Sequence, residues 1–297
     1  MTIGRRVRAW HPAPPPLPAE LAGLVAADDP DWFARELAIA AAPPWWFGRL
    51  ALRVFAWLPH VFGRFQVTGS VREEWRRGPL LLAANHIGDF DTFVVAAALH
   101  RAGLYPRFMA TGSIVAAPVV GPLLERAGVI RVVRGTDLAA HAVRVARVAL
   151  DTGGHVLAYP EGRVGLAPDG WPERGRTGLA RMALDADVPV IPVSQWGAHE
   201  VLQYANDRGK VRTALRALRR RPALRVHLGP PVYFGDLLAG RVGDANRART
   251  RIAAAITRGL APLRTGEPQD RMAYVDPTRP RTGSAAFPGG VVPADIP

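Results

Sequence analysis

Leu80-Leu81-Leu82-Ala83-Ala84 runs directly into Asn85-His86-Ile87-Gly88-Asp89-Phe90-Asp91, and a second apolar run, Phe93-Val94-Val95-Ala96-Ala97-Ala98-Leu99, follows. The first run is short and apolar at every position, which reads as a buried strand. The second reads as a helix that starts near Asp91. A titratable imidazole and a carboxylate therefore stand at the end of a strand, where open α/β sheets place their chemistry. A histidine held by a carboxylate takes a proton from a hydroxyl near neutral pH. His86 and Asp91 are about 140° apart around a regular helix, so they do not face each other on one. They meet only if His86 sits in the strand-to-helix turn and Asp91 in the first turn of the helix. Asp89 is a rival partner for the ring, or else the cap of that helix.

Outward from this stretch the pattern alternates. Strands are expected at Pro79–Ala84, Pro106–Ala110, Val129–Val133, His155–Tyr159, Val188–Val193 and Leu224–Leu228. Helices are expected at Asp91–Ala102, Ser113–Ala127, Leu138–Thr152, Gly175–Asp185 and Ala245–Ala261. Apolar strands alternating with helices of this length predict an α/β fold, a mostly parallel or mixed central sheet with helices on both faces. Pro189 and Pro192 argue that the Val188–Val193 strand is irregular or at an edge. One catalytic domain, residues 45–265, is the economical division. Residues 1–44 are an N-terminal extension, Pro-rich with one acidic helix-like piece at Asp28–Ala42. Residues 266–297, rich in Pro, Gly, Arg and Asp, read as a largely disordered tail.

Within the segment 45–64, the stretch between Pro44 and Pro59 holds Trp45, Trp46, Phe47, Leu50, Val54, Phe55 and Trp57, with only Arg49 and Arg53 charged. Large aromatics beside a narrow basic stripe predict an N-terminal helix lying in a lipid interface, the alternative being a helix packed on the core. At 208–225, Arg212, Arg216, Arg219 and Arg220 share one helical stripe and Val211, Leu215 and Leu218 the adjacent one. That face is either solvated or docks anionic headgroups.

The chain has 297 residues, 48% of them hydrophobic, enough for a large core. It has no cysteine, hence no thiolate nucleophile and no disulfide framework. A net charge of +13, with Lys210 the only lysine, predicts attraction to polyanions such as anionic lipid, phosphorylated substrates or nucleic acid. No apolar stretch is long enough for a membrane-spanning helix, and prolines 12, 14, 15, 16 and 18 occupy the place of a signal-peptide core.

A second constellation, Tyr159-Pro160-Glu161-Gly162-Arg163, also ends an apolar strand. A third is Gly128-Val129-Ile130-Arg131-Val132-Val133-Arg134. Arg174 and Arg176 precede a helix and suit an anion at its start. Together these motifs resemble the glycerolipid acyltransferases of the lysophosphatidic acid acyltransferase type. Asn85, His86 and Asp91 match that family's Asn-His-x-x-x-x-Asp. Gly128, Ile130 and Arg134 match its Gly-x-Ile-x-x-x-Arg, and Tyr159 to Gly162 match most of its Phe-Pro-Glu-Gly-Thr-Arg. Val188–Val193 matches its Val-Pro-Ile-Val-Pro-like strand, and Arg176-Thr177-Gly178 its Lys-x-Gly. Arg163 stands where the family has Thr and Val164 where it has Arg.

The resemblance implies an acyl-CoA-dependent O-acyltransferase of phospholipid synthesis, in which acyl carrier protein is the other possible donor. His86 would be the general base and Asp91 would orient it. Asn85, Arg134, Glu161, Gly162, Arg163 and Arg176 would bind substrate, and backbone N–H groups near Gly162 would hold the oxyanion. No metal or cofactor is expected. The expected partners are a lipid acceptor, an acyl thioester and an anionic membrane surface on its cytoplasmic face, and no nucleic acid. Other lipid acceptors (glycerol 3-phosphate, a lysophospholipid or a glycolipid) remain open, as does a non-catalytic basic protein binding membrane or nucleic acid.

Overall fold

The computed structural model describes residues 30–42, 46–111, 120–132, 138–165, 170–202 and 207–264. In chain order these residues form α1 (Pro30–Ala41), α2 (Trp46–Phe62), β1 (Arg64–Gly69), α3 (Glu73–Arg76), β2 (Leu80–Ala84), α4 (Asp91–Arg101), β3 (Arg107–Thr111), α5 (Val120–Arg126), β4 (Ile130–Val132), α6 (Leu138–Asp151), β5 (His155–Ala158), α7 (Gly178–Ala186), β6 (Val190–Trp196), α8 (Asp207–Arg220), β7 (Ala223–Leu228) and α9 (Asp244–Leu260). The expected tail and most of the N-terminal extension lie outside the described residues, as does Arg134.

The strands make one seven-stranded sheet in the order β1-β7-β6-β2-β5-β3-β4. Every neighbouring pair is parallel except β6 and β7. The expected mixed sheet with helices on both faces is what forms. Its covering is written in the period-two alternation of the strands. Leu81 and Ala83 of β2, with Val156 of β5, pack on the face covered by α1, α6, α7 and α9. Leu80, Leu82 and Ala84, with Leu157, pack on the opposite face against α4 and the inner side of α2. Both faces of β2 are buried, so each of its leucines contributes about 1.5–3 kcal/mol of burial and none can be spared to solvent.

Two expectations fail here. β1 was not anticipated: its residues alternate exposed and half-buried, so it has only a weak apolar signal. The proline-bearing β6 is central, between β2 and β7, rather than at an edge. Pro192 is tolerated because its hydrogen-bonding side faces the chain leaving β7. Its carbonyl accepts from Gly229 N at 2.9 Å, and the antiparallel ladder begins only at Val193–Leu228.

The neighbouring strands β2 and β5 send their following helices, α4 and α7, to opposite faces. A crevice opens at the carboxyl ends of strands at such a point.

Candidate active site

The turn between β2 and α4 is folded around one oxygen atom. Asp91 Oδ2 accepts from His86 Nδ1 at 2.7 Å, from Ile87 N at 2.5 Å and from Gly88 N at 3.0 Å. Asp91 is fully buried in the first turn of α4, and the His86 side chain is 20% exposed. An oxygen that already receives two peptide N–H groups is an acceptor toward the ring as well. Nδ1 therefore carries the proton and Nε2 holds the lone pair. Asp89 neither partners the ring nor caps α4; it pairs with Lys210 of α8 at 2.6 Å. The Tyr159 ring stacks on the imidazole, with centroids 4.2 Å apart and planes at 22°. Burial first, and then the charge of Asp91, push the Tyr159 phenol above its usual range. It stays neutral and within 3.4 Å of Thr92 Oγ1.

The Pro160–Gly162 turn after β5 holds the peptide on either side of His86. Glu161 Oε1 accepts from His86 N at 2.8 Å and Oε2 from Glu173 N at 3.2 Å, while Gly165 N donates to His86 O at 2.6 Å. Gly165 has to be glycine. A Cβ there would fall 2.5 Å from Glu161 Oε2 and 3.1 Å from His86 O. Burial pushes the Glu161 carboxyl up to about 8, against the downward pull of its two N–H donors.

His86 opens onto a cavity of about 900 Å³. Leu52 and Phe55 of α2, Phe93 of α4, and Phe108 and Met109 of β3 give it apolar walls, and Arg107, Arg176 and Arg249 line it as cations. Of the expected substrate-binding residues, Gly162 and Arg176 line this cavity. Others do not. Asn85 is fully buried, its side chain donating to Gln195 O at 2.9 Å and accepting from Gln195 N at 2.8 Å, so it stitches β2 to β6. Glu161 spends both oxygens on peptide groups. Arg163 pairs with Glu173 at 3.0 Å and is not among the cavity-lining residues. The expected oxyanion donor at Gly162 is already used, since Gly162 N donates to Tyr159 O at 2.9 Å.

Reading the sequence missed Gln195, Gly165, Arg107 and Arg249. Gly165 carried a signal, a glycine closely following Gly162. Gln195 and Arg107 bond to residues far away in sequence, Arg249 joins a cavity wall built from distant segments, and none of the three carried a signal. Among the described residues no cluster of His, Asp and Glu is placed to hold a metal ion.

Residues 64–196 match the family model described as Acyltransferase. Over this stretch the chain is similar to acyltransferase domains. The matched stretch runs from β1 to β6 and therefore contains both turns that surround His86. No curated protein matches the chain in sequence. In structure, the chain is similar to the 1-acyl-sn-glycerophosphate (LPA) acyltransferase PlsC from Thermotoga maritima. The TM-score is 0.53 at 19% identity, over 82% of this chain and 86% of that one. That likeness shows a common fold, one that continues past residues 64–196.

Proposed function

We propose that this acyltransferase moves a fatty acyl group from acyl-CoA or acyl carrier protein to the hydroxyl of a lysophosphatidic-acid-like glycerolipid in phospholipid synthesis. One observation carries the reading: an imidazole held by a buried carboxylate at 2.7 Å opens onto a large cavity with apolar walls. Nε2 takes the proton of the acceptor hydroxyl as its oxygen attacks the thioester carbonyl and the C–O bond forms. The tetrahedral adduct then collapses, the C–S bond breaks, and the departing sulfur takes the proton back from His86. Asp91 stabilises the imidazolium between these steps, as a carboxylate does in serine-enzyme triads. The thioester is already activated, so the scheme calls for neither an acyl-enzyme nor a cofactor.

The outer surface supports a seat on a membrane. Leu50, Val54 and Trp57 of α2 are 45%, 57% and 67% exposed, while Leu52 and Phe55 of the same helix line the cavity. α8 touches α2 and exposes Val211, Leu215 and Leu218 beside Arg212, Arg216, Arg219 and Arg220. Such a face suits an interface with anionic headgroups. Among the described residues no helix is long and apolar enough to cross a bilayer. We read the protein as peripheral or monotopic, on the cytoplasmic face of the cell membrane.

The test is His86→Ala, assayed for thiol release from acyl-CoA with 1-acylglycerol 3-phosphate as acceptor. Loss of a general base lowers turnover by at least ~10²-fold with circular dichroism unchanged. Undiminished turnover overturns the mechanism.

A further inference from the structure

The short turn Ala261–Arg264 closes α9 and lies beyond residues 64–196. Arg264 is its last residue. The Arg264 Cζ stands 4.3 Å from the centroid of the Trp171 ring and 4.1 Å from that of Trp196. A planar guanidinium suits such a place, because it stacks on aromatic faces and is weakly hydrated for a cation. Leu263, the residue before it, is buried, and its carbonyl accepts from Arg225 Nη1 of β7 at 2.8 Å. The turn is thereby fixed to the sheet, and Arg264 reaches the tryptophans from a firm base.

Both tryptophans lead to the His86 turn. Trp196 ends β6 and packs with Ile87, Leu260 and Leu263 in one buried cluster, against which Trp171 rests. Ile87 is the residue whose N–H donates to Asp91 Oδ2 at 2.5 Å. Trp171 stands two residues before Glu173. The Glu173 N–H donates to Glu161 Oε2 at 3.2 Å, and Glu161 Oε1 accepts from His86 N at 2.8 Å. One cation thus bears on His86 by two routes: on its acid through Ile87 and on its peptide through Glu161. Packed side chains and hydrogen bonds of this kind carry a displacement from one site to the next. Arg264 itself is not among the cavity-lining residues, so its action on the reaction is indirect.

We propose that Arg264 is a positioning residue for acyl transfer: it pins the loop that carries Glu173 to the Ile87 side of the His86 turn and so holds the imidazole in line with the acceptor hydroxyl. This rests on the acyltransfer reading above. Misplacing a reacting group by about 1 Å costs on the order of 10²-fold in rate, even when the cause lies far from the chemistry.

Arg264→Leu, Arg264→Lys and Trp171→Phe are compared with the wild type in the full-length protein. Arg264→Leu lowers kcat by about 10- to 100-fold and leaves KM for acyl-CoA and for 1-acylglycerol 3-phosphate within about threefold. Arg264→Lys keeps the charge without the plane and recovers little, whereas Trp171→Phe keeps an aromatic face and retains most of the turnover. An unchanged kcat in Arg264→Leu, a loss confined to KM, or full recovery by Arg264→Lys overturns the proposal. Hydrogen exchange reads the latch without turnover. In Arg264→Leu the amides of Ile87, Gly165 and Glu173 exchange at least about tenfold faster, while those of Leu82 and Leu157 in the sheet keep the wild-type rate. Faster exchange everywhere marks a residue that only adds stability, and no change at the three amides removes the latch; either result overturns the proposal. Should Arg264→Leu melt early, Trp171→Ala is judged by the same criteria. Local loosening in Arg264→Leu, beside a wild type that releases no thiol, refutes the acyltransfer reading and leaves the latch standing.

Discussion

The turn after β2 and the turn after β5 stand side by side at the carboxyl edge of the sheet, and each holds a buried carboxylate. Asp91 in the first is bonded to an imidazole that opens onto the cavity. Glu161 in the second is bonded to the peptide groups of His86 and Glu173. The same chemical group thus polarises a side chain in one turn and shapes the backbone in the other. What separates them is the partner, since depth of burial and place at the sheet edge are shared.

The comparison breaks most sharply at Asp91. Asp91→Asn keeps the size of the side chain but removes the charge that balances an imidazolium. The expected loss in kcat is about 10²- to 10⁴-fold, with thermal melting close to wild type. A variant that loses its fold instead would make Asp91 a framework residue like Glu161.

Glu161→Gln sharpens the other side. One amide N–H₂ must face a peptide N–H, so stability falls by about 1–3 kcal/mol, measured by urea unfolding. The pH dependence gives a second signature. The Glu161 carboxyl is raised from 4.5 to about 8, so between these values the folded state keeps a proton that the unfolded chain releases. Its contribution to stability is complete below about pH 4.5 and is lost as pH rises toward 8. Glu36 of α1, raised to about 7 chiefly by burial, acts with the same sign. The measurement is therefore the difference between proteins: from about pH 5 to about pH 8 the unfolding free energy declines less in Glu161→Gln than in wild type. Parallel declines would mean that Glu161 is ionised throughout.

The smallest effect belongs to Arg163. Its partly exposed pair with Glu173 is worth at most about 1 kcal/mol. Arg163→Gln leaves KM and kcat within about 3-fold of wild type, and a loss beyond about tenfold would move Arg163 into the site.

The β2–turn–α4 unit was legible because everything it needs is local. An unbroken apolar run, a turn, and an acid at the start of a helix fix the strand, the helix and the His86–Asp91 contact. Asn85 was misread as a substrate contact because its partner, Gln195, comes from a strand far along the chain. Arg163 was misread for the same reason, since only the fold brings Glu173 to it. β1 was hidden by its weak alternation, and the central place of β6 by Pro192, whose missing donor points where no ladder bond is required. Arg249 gave no signal at all. A helix rich in arginine does not say which of them faces inward, and the cavity wall it joins is assembled from distant segments.

Gly165 carries no functional group, yet it lies against the peptide of His86, the proposed general base. A single methyl at that place would strike Oε2 of Glu161, the carboxyl group whose other oxygen holds His86 N–H, and crowd the His86 carbonyl. Position 165 therefore shapes the His86 turn through the room it leaves empty, and a side chain added there would press on the carboxyl and the carbonyl that fix that turn.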